Sequence, residues 1–368
     1  MTTKEKILAI LERDKGKWFS GEDLAEETRV SRAAVWKAVK SLQSEGYDIQ
    51  AVTNRGYCLS PRTDILSRSG ILNYLGILRG TLNCPDAPTP EKKDLFYDLH
   101  VVPVTGSTNA DVKAAAQAGA AEGYAVIAAE QTSGAGRRGR SFYSPSGTGV
   151  YISVLLKPEN CPAQDAVRIT TIAAVAACMA IENVTADIPG TENTRESTVD
   201  MRPGIGERPG IKWVNDVYLR GKKVCGILTE GAFNMESALL DYAVLGIGFN
   251  VYEPEGGFPG EIAKIAGAVF PGETEDAKNR LCAAFLFYFE KWYRQLSGRN
   301  YTEEYRKRSI VTGQKIRVLK GMEYMQGADA GKSAEALAID DDCRLLVRYE
   351  DGSEEWLSTG EISIRLNR

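Results

Sequence analysis

Residues Gly134 to Arg140 read GAGRRGR, three glycines and three arginines in seven positions of a chain whose net charge is -4. Glycines let backbone N–H groups converge on an anion, and guanidinium groups add fixed charge and forked donors. A loop of this kind suits a phosphate, a carboxylate, or both. No Gly-Lys-Ser/Thr closes it, so it is not a P-loop. The following SFYSPSGTGVYISV leads into a strand, whereas a dinucleotide fingerprint needs a helix directly after. A basic loop for RNA or a protein partner is the alternative. Nothing in the sequence stiffens the loop, which predicts a flexible segment that orders around its ligand.

Three other stretches carry chemistry. GSTNADVK places Ser107, Thr108 and Asn109 together after the strand-like LHVVPV, where small polar side chains suit a compact hydrogen-bonding ligand head or a helix cap. GIKWVNDVYL sets Lys212 in an apolar run ahead of Asn215 and Asp216. A lysine there steadies charge on a phosphoryl or acyl oxygen, or forms a strand-end ion pair. GIGFN ends a strand on small residues and Asn250, as close ligand approach requires.

Composition narrows the chemistry. The only histidine is His100, which excludes a His-rich metal cluster and weakens any Ser-His-Asp proposal. The seven cysteines are scattered with no CxxC pair, so the expectation is free thiols, no metal site and a cytoplasmic, reducing location. The N-terminal MTTKEKILAILERDKG lacks a signal-peptide core, and the longest pure apolar run, Ile172 to Ile181, is too short to span a bilayer, so no membrane partner is expected.

The elements that must position these residues fall into three groups. In residues 1–62, Ile7, Leu8, Ile10 and Leu11 have helical spacing; Ser20 and Ser31 can cap a second and a third helix. Val35, Val39 and Leu42 form one stripe of the third, with Arg32, Lys37 and Lys40 off it. YDIQAVTNRGYCLS then reads as two short strands around Asn54-Arg55-Gly56. Three helices and a hairpin make the plan of a winged helix-turn-helix, although eleven basic against nine acidic residues leave a three-helix protein-binding unit open. From 63 to about 310, strands (YAVIAAEQ, GVYISVLLKP, KKVCGILTEG, YAVLGIGFNVY) mix with an Ala-rich helix over 164–184 and an amphipathic one capped by Thr274. Two polar stretches, NCPDAPTPEKKD and residues 187–210, predict surface loops. Residues 311–368 alternate as short strands and predict a small β-barrel.

Taken together, STN, EQTSGAGRRGRSFYSP, KWVNDVYLRGKKVCGILTE, GIGFNV and GEISIR, in that order behind SRAAVWKAVKSL and GYCL, resemble the biotin protein ligase family, and within it the bifunctional members that also repress the biotin operon. The resemblance implies an α+β chain: a DNA-binding winged helix-turn-helix (1–62), a mixed-sheet catalytic domain like class II aminoacyl-tRNA synthetases (63–310), and an SH3-like C-terminal barrel (311–368).

It also implies roles. Ser107, Thr108, Asn109 and Gln131 would bind the ureido end of biotin. Gly134, Ala135, Gly136 and Arg137 would wrap the valerate carboxylate and adenylate phosphate, and Lys212 would contact the carboxyl and phosphate oxygens. Arg140, Phe142, Asn215, Asn250 and Arg365 would hold ATP, with Phe142 stacking on adenine. Lys212, Arg137 and Arg140 would be catalytic, while Ser31, Arg32, Lys37 and Arg55 would read DNA. No residue is assigned to a metal, although Mg²⁺ accompanies ATP. The implied partners are the biotin carboxyl carrier protein, operator DNA, and a second copy of the chain once adenylate is bound. Val214 stands where the family usually has proline, which predicts a looser turn. A lipoate-type ligase and a regulator that senses biotin without ligating it are the rival readings.

Overall fold

The structure, a computed structural model, describes residues 1–81, 96–186, 204–321 except 205, 235 and 297, then 330–358 and 362–366. The predicted loops at NCPDAPTPEKKD and over most of 187–210 lie outside the described residues.

Helices α1 (Thr3–Arg13), α2 (Gly21–Thr28) and α3 (Arg32–Ser44) begin at polar caps. Ser20 and Asp23 cap each other's backbone reciprocally, and Ser31 Oγ accepts from Ala34 N at 3.2 Å. Each cap satisfies an amide that the helix leaves orphaned. Val35, Val39 and Leu42 turn inward onto Ile7, Leu11 and Leu24, forming a core of their own. Strands β1 (Ile49–Val52) and β2 (Gly56–Leu59) make the hairpin, with Asn54 at φ 62°. Gly56 has to be glycine: its φ is +97°, and a Cβ would lie 2.0 Å from Phe19 O, because Phe19 bridges to Tyr57.

Past a short linker come α4 (Arg68–Thr81), β3 (Asp98–Thr105), α5 (Thr108–Gln117), β4 (Tyr124–Gln131), β5 (Gly149–Leu156) and α6 (Ala166–Thr185). Then follow β6 (Gly210–Lys212), β7 (Asp216–Leu219), β8 (Lys222–Phe233), β9 (Leu240–Asn250), α7 (Ala277–Tyr293) and α8 (Asn300–Lys307). The seven strands form one mixed sheet in the order β3-β4-β5-β9-β8-β7-β6, in which only the β3–β4 pair is parallel. Strand alternation separates the faces. Ala125, Ile127, Val154 and Leu245 pack under α6 and α7, while Val126, Leu155 and Val244 pack against Val112 of α5. Helix α6 is long and apolar enough to cross a membrane by length and composition, longer than the pure apolar run inside it, but most of it is buried against α7 and the sheet.

The linker decides how the N-terminal unit is attached. Helix α7 is not capped by Thr274, whose hydroxyl donates to Gly272 O. Asp64 of the linker supplies the cap, accepting from Lys278 N at 2.9 Å, and Tyr252 donates to its other oxygen at 2.6 Å. Beside it, Lys15 of the N-terminal unit bridges Glu12 at 3.0 Å and the fully buried Asp276 at 2.8 Å.

Strands β10 (Lys315–Lys320), β11 (Lys332–Ile339), β12 (Leu345–Tyr349), β13 (Glu354–Leu357) and β14 (Ile362–Leu366) form an antiparallel sheet in the order β13-β12-β11-β10-β14. Its apolar residues, such as Ile316 and Val347, join the core of the central domain. It docks on the β6–β7 turn. Trp213 Nε1 donates to Cys343 O at 2.9 Å, and Tyr305 Oη donates to Val214 O at 3.1 Å. The turn expected to loosen without proline is therefore buried and pinned from two sides.

Candidate active site

Across the middle of the sheet, Gly226 of β8 pairs with Gly248 of β9, so the surface there has no side chains. The Phe142 ring rests on this floor: a Cβ on Gly248 would lie 2.5 Å from it, and one on Gly226 2.9 Å. Phe142 walls two adjoining cavities. The inner one, about 60 Å³, is lined by Ser107, Thr108, Asn109, Gln131, Ala135, Ile227, Leu228 and Gly246. The outer one, about 300 Å³, takes Arg138, Arg140, Asp216 and Asn250 with the apolar Phe258, Ile262, Ile265 and Ala266. Gly136, Arg137, Asn215 and Lys223 line both.

The inner cavity is a hydrogen-bonding pit. Ser107 sits at the N-cap of α5 but makes no side-chain cap bond, which leaves its hydroxyl to the cavity. Thr108 donates from its backbone and hydroxyl to Gln131 Oε1 at 2.9 and 3.0 Å, and Gln131 Nε2 donates to Ser144 Oγ at 3.1 Å. The walls beyond are apolar. A small polar head on an aliphatic body matches that division.

The outer cavity carries four cations, Arg137, Arg138, Arg140 and Lys223, against one carboxylate, Asp216. That imbalance favours an anion, and the apolar far wall suits a planar ring. Asn215 locks Arg137: its Oδ1 accepts from Arg137 Nη1 at 2.9 Å while its Nδ2 donates to Ile227 O at 2.8 Å. Burial holds the Arg137 guanidinium below its usual value, with Asp216 opposing that trend. Asn250 donates to Gly267 O at 3.0 Å.

The glycine/arginine loop is tied across its own tip by hydrogen bonds that its sequence does not announce. Gly136 N donates to Arg140 O at 2.7 Å, Phe142 N donates to Gly134 O at 2.8 Å, and Ala135 bridges Ser141, so the loop is a small hairpin. Gly134 lies beneath it, where a Cβ would meet Phe142 O at 2.5 Å. The Gly136 N–H is consequently engaged within the loop.

Lys212 lines neither cavity. It lies on β6, an edge strand two places from the glycine-bearing β8, with its Nζ 5.8 Å from the Tyr218 ring centroid. Lys223, at the start of β8, is two strands nearer; its Nζ pairs with Asp216 Oδ1 at 2.7 Å and lies 5.9 Å from the Phe142 ring centroid. No alternation pattern in the sequence marks Lys223: a register shift between Lys223 and Cys225 brings its side chain onto the face of Gly226, where a Cβ would lie 3.2 Å from Lys223 Nζ. Glu230, another residue not anticipated, accepts from Asn109 Nδ2 at 2.7 Å. The backbone of Arg365 pairs with Arg317 on β10, and its side chain lies outside the described residues.

On the N-terminal unit, Arg32 and Lys37 are exposed on the outward face of α3. Arg55, at the hairpin tip, stacks on Trp18 at 4.2 Å. His100 stacks on Tyr124 and meets Asp98 on β3, away from both cavities. The six described cysteines are buried and unpaired, and burial pushes the Cys178 thiol up to about 12. Among the described residues no cluster of three or more acidic, Cys or His side chains forms a metal site.

Comparison with known proteins aligns with this geometry. Residues 101–250 match the biotin/lipoate A/B protein ligase family, residues 3–58 a helix-turn-helix domain, and residues 328–365 the biotin protein ligase C-terminal domain. The bifunctional ligase/repressor BirA of Bacillus subtilis is 30% identical over 359 residues, covering 95% of each chain. The biotin–[acetyl-CoA-carboxylase] ligase of Mycobacterium tuberculosis is 31% identical over 227 residues, 61% of this chain and 75% of that one. A solved biotin protein ligase from Aquifex aeolicus, in complex with biotin and ATP, superposes with a TM-score of 0.53 at 22% identity, covering 74% of this chain and 100% of that one.

Proposed function

We propose, since this chain belongs to the biotin protein ligase family, that it activates biotin with ATP and passes it to a lysine of the biotin carboxyl carrier protein of acetyl-CoA carboxylase. One observation carries this reading: a small polar pit opens directly into a cationic cavity, and Arg137, Asn215 and Lys223 stand at the junction. The pit takes the ureido head. The junction takes the carboxylate and the α-phosphate, and the outer cavity takes the nucleotide, with adenine against Phe142 and the apolar wall.

In the first step a carboxylate oxygen of biotin bonds to the α-phosphorus as the bond to pyrophosphate breaks. In the second, the carrier lysine amine attacks the carbonyl carbon and AMP leaves with its electron pair. Both nucleophiles come from substrates, which accounts for a site built without His, Cys or Ser nucleophiles. The chain's own task is to hold two anions together and neutralise charge as it develops; Arg137 and Lys223 sit where that charge arises. Asp216, the one carboxylate of the outer cavity, suits Mg²⁺ bound mainly through ATP phosphates, and the ion would further neutralise them.

The N-terminal unit presents a basic helix face and a cationic hairpin tip, which support operator binding with biotinyl-AMP as corepressor. A homodimer of central domains would place two such units on two half-sites, with β3, an edge strand of the sheet, as the surface through which they join. Membership of the family supports reading the five-strand C-terminal sheet as SH3-like and the central domain as synthetase-like. Buried free thiols support a cytoplasmic location.

The test is biotin-dependent ATP–pyrophosphate exchange followed by transfer of label to a carrier domain. Exchange driven by lipoate in place of biotin would favour the lipoate-type reading. Biotin binding without any exchange would favour a non-catalytic sensor.

A further inference from the structure

Ser153, in the middle of β5, is fully buried and lines neither cavity. Its Oγ lies 2.6 Å from Asn109 Oδ1 and 2.7 Å from Thr108 Oγ1. Gly246 pairs with it on β9, and a Cβ there would come 2.1 Å from Asn109 Oδ1. The Asn109 amide therefore lies flat on the sheet, in a recess made by a serine and a glycine. At its other end, Asn109 Nδ2 donates to Glu230 Oε2 at 2.7 Å, and Lys113 Nζ holds Glu230 Oε1 at 2.5 Å. A carboxylate only accepts, so the amide nitrogen faces Glu230 and the oxygen faces Ser153. Clamped this way, the amide cannot turn over.

The hydroxyl hydrogens can be counted. Ser153 has one hydrogen for two neighbouring acceptors. If Asn109 receives it, Thr108 donates to Ser153. If Thr108 receives it, the hydrogen of Thr108 goes to Gln131 Oε1, 3.0 Å away. In both arrangements the Thr108 hydrogen is used inside the protein, and its oxygen meets the ligand as an acceptor only. Asn109 keeps one N–H beyond the one given to Glu230. An acceptor beside a donor matches the N–H and C=O of a cyclic urea.

We propose that Ser153 is a positioning residue that fixes Thr108 and Asn109 as an acceptor–donor pair, and so selects acids whose head carries N–H beside C=O over apolar heads of similar length. This rests on the biotin-activating reading above and deepens it.

The test uses the full-length Ser153→Ala protein in ATP–pyrophosphate exchange. KM for biotin should rise about ten- to a hundredfold, as expected for a buried acceptor losing its donor. KM for ATP should stay within about twofold of wild type, a split that general loosening of the fold would not produce. The ratio of dissociation constants between a thiolane pentanoic acid lacking the ring N–H groups and biotin should shrink by about the same factor. Glu230→Ala, which alters a partly exposed carboxylate, should move the same quantities in the same direction and serves if Ser153→Ala does not fold. Unchanged KM for biotin in the folded variants, or a parallel rise in KM for ATP, overturns the proposal. If the wild-type protein activates lipoate and not biotin, the functional reading and the proposal fail together, whereas biotin activation with unchanged KM in the variants overturns the proposal alone. Activation of neither acid sinks both.

Discussion

Lys223 Nζ, at the junction of the two cavities, lies 2.7 Å from Asp216 Oδ1 in the outer one, while Lys212, which pairs with Asp216 across β6 and β7, stays outside both. Backbone register puts Lys212 beside Asp216. Side-chain reach puts Lys223 into the lining of both cavities.

The contrast separates two lysines by function. Lys223→Ala should lower adenylate formation about 10²–10³-fold, the usual loss when a donor to developing charge is removed. Lys212→Ala should fall less than about tenfold, since a residue outside the cavity acts on that charge only at a distance. Single-turnover measurement of biotinyl-adenylate in both variants decides; equal losses would return Lys212 to the site.

Phe142 rests on a floor that only glycines can provide. If its ring stacks on adenine, Phe142→Ala should raise KM for ATP about five- to a hundredfold, the range of one lost base–aromatic contact. An unchanged KM for ATP would leave the ring a wall and nothing more.

The attachment of the N-terminal unit should depend on pH. Burial pushes the Glu12 carboxyl from 4.5 up to about 7, Asp276 reinforcing the rise and Lys15 opposing it. Between those values the folded protein holds a proton that the unfolded chain has lost. Stability should therefore fall as pH rises through this window and level off above it, by on the order of 1–3 kcal/mol. Denaturant titrations from pH 5 to pH 8 should show this slope in wild type relative to Glu12→Gln, in which it is absent. Lys15→Ala should be the more damaging change, because it strands the buried Asp276 without its cation.

DNA binding should lose affinity with each cation removed from α3. Arg32→Ala and Lys37→Ala should each weaken binding to operator duplex. For a phosphate contact, the log–log salt slope should fall by about 1; for a base contact, specificity at one position should relax. Point substitution is the sharper test than deleting residues 1–62, since deletion also removes Lys15 from Asp276.

Much of this was legible along the chain. The caps at Ser20 and Ser31, the Val35/Val39/Leu42 stripe, the hairpin at Asn54–Gly56 and the four core strands depend on neighbours within a few residues, and periodicity and capping report such neighbours directly. The motif order likewise pointed to the family before any geometry was known.

Strand order, loop closure and domain docking were beyond that range. That Lys223 lines the cavities and Lys212 does not turns on β8 lying inside the sheet and β6 at its edge, which the chain order of the two lysines does not encode. The closed form of the glycine/arginine loop comes from pairing across its own tip. Asp64 caps a helix that starts more than two hundred positions later, and Ser153 gains its role only where β5 passes beneath α5. Local sequence sets which conformations and donors are available. Which groups meet is set by packing distant segments into one core, where each buried polar atom must find a partner.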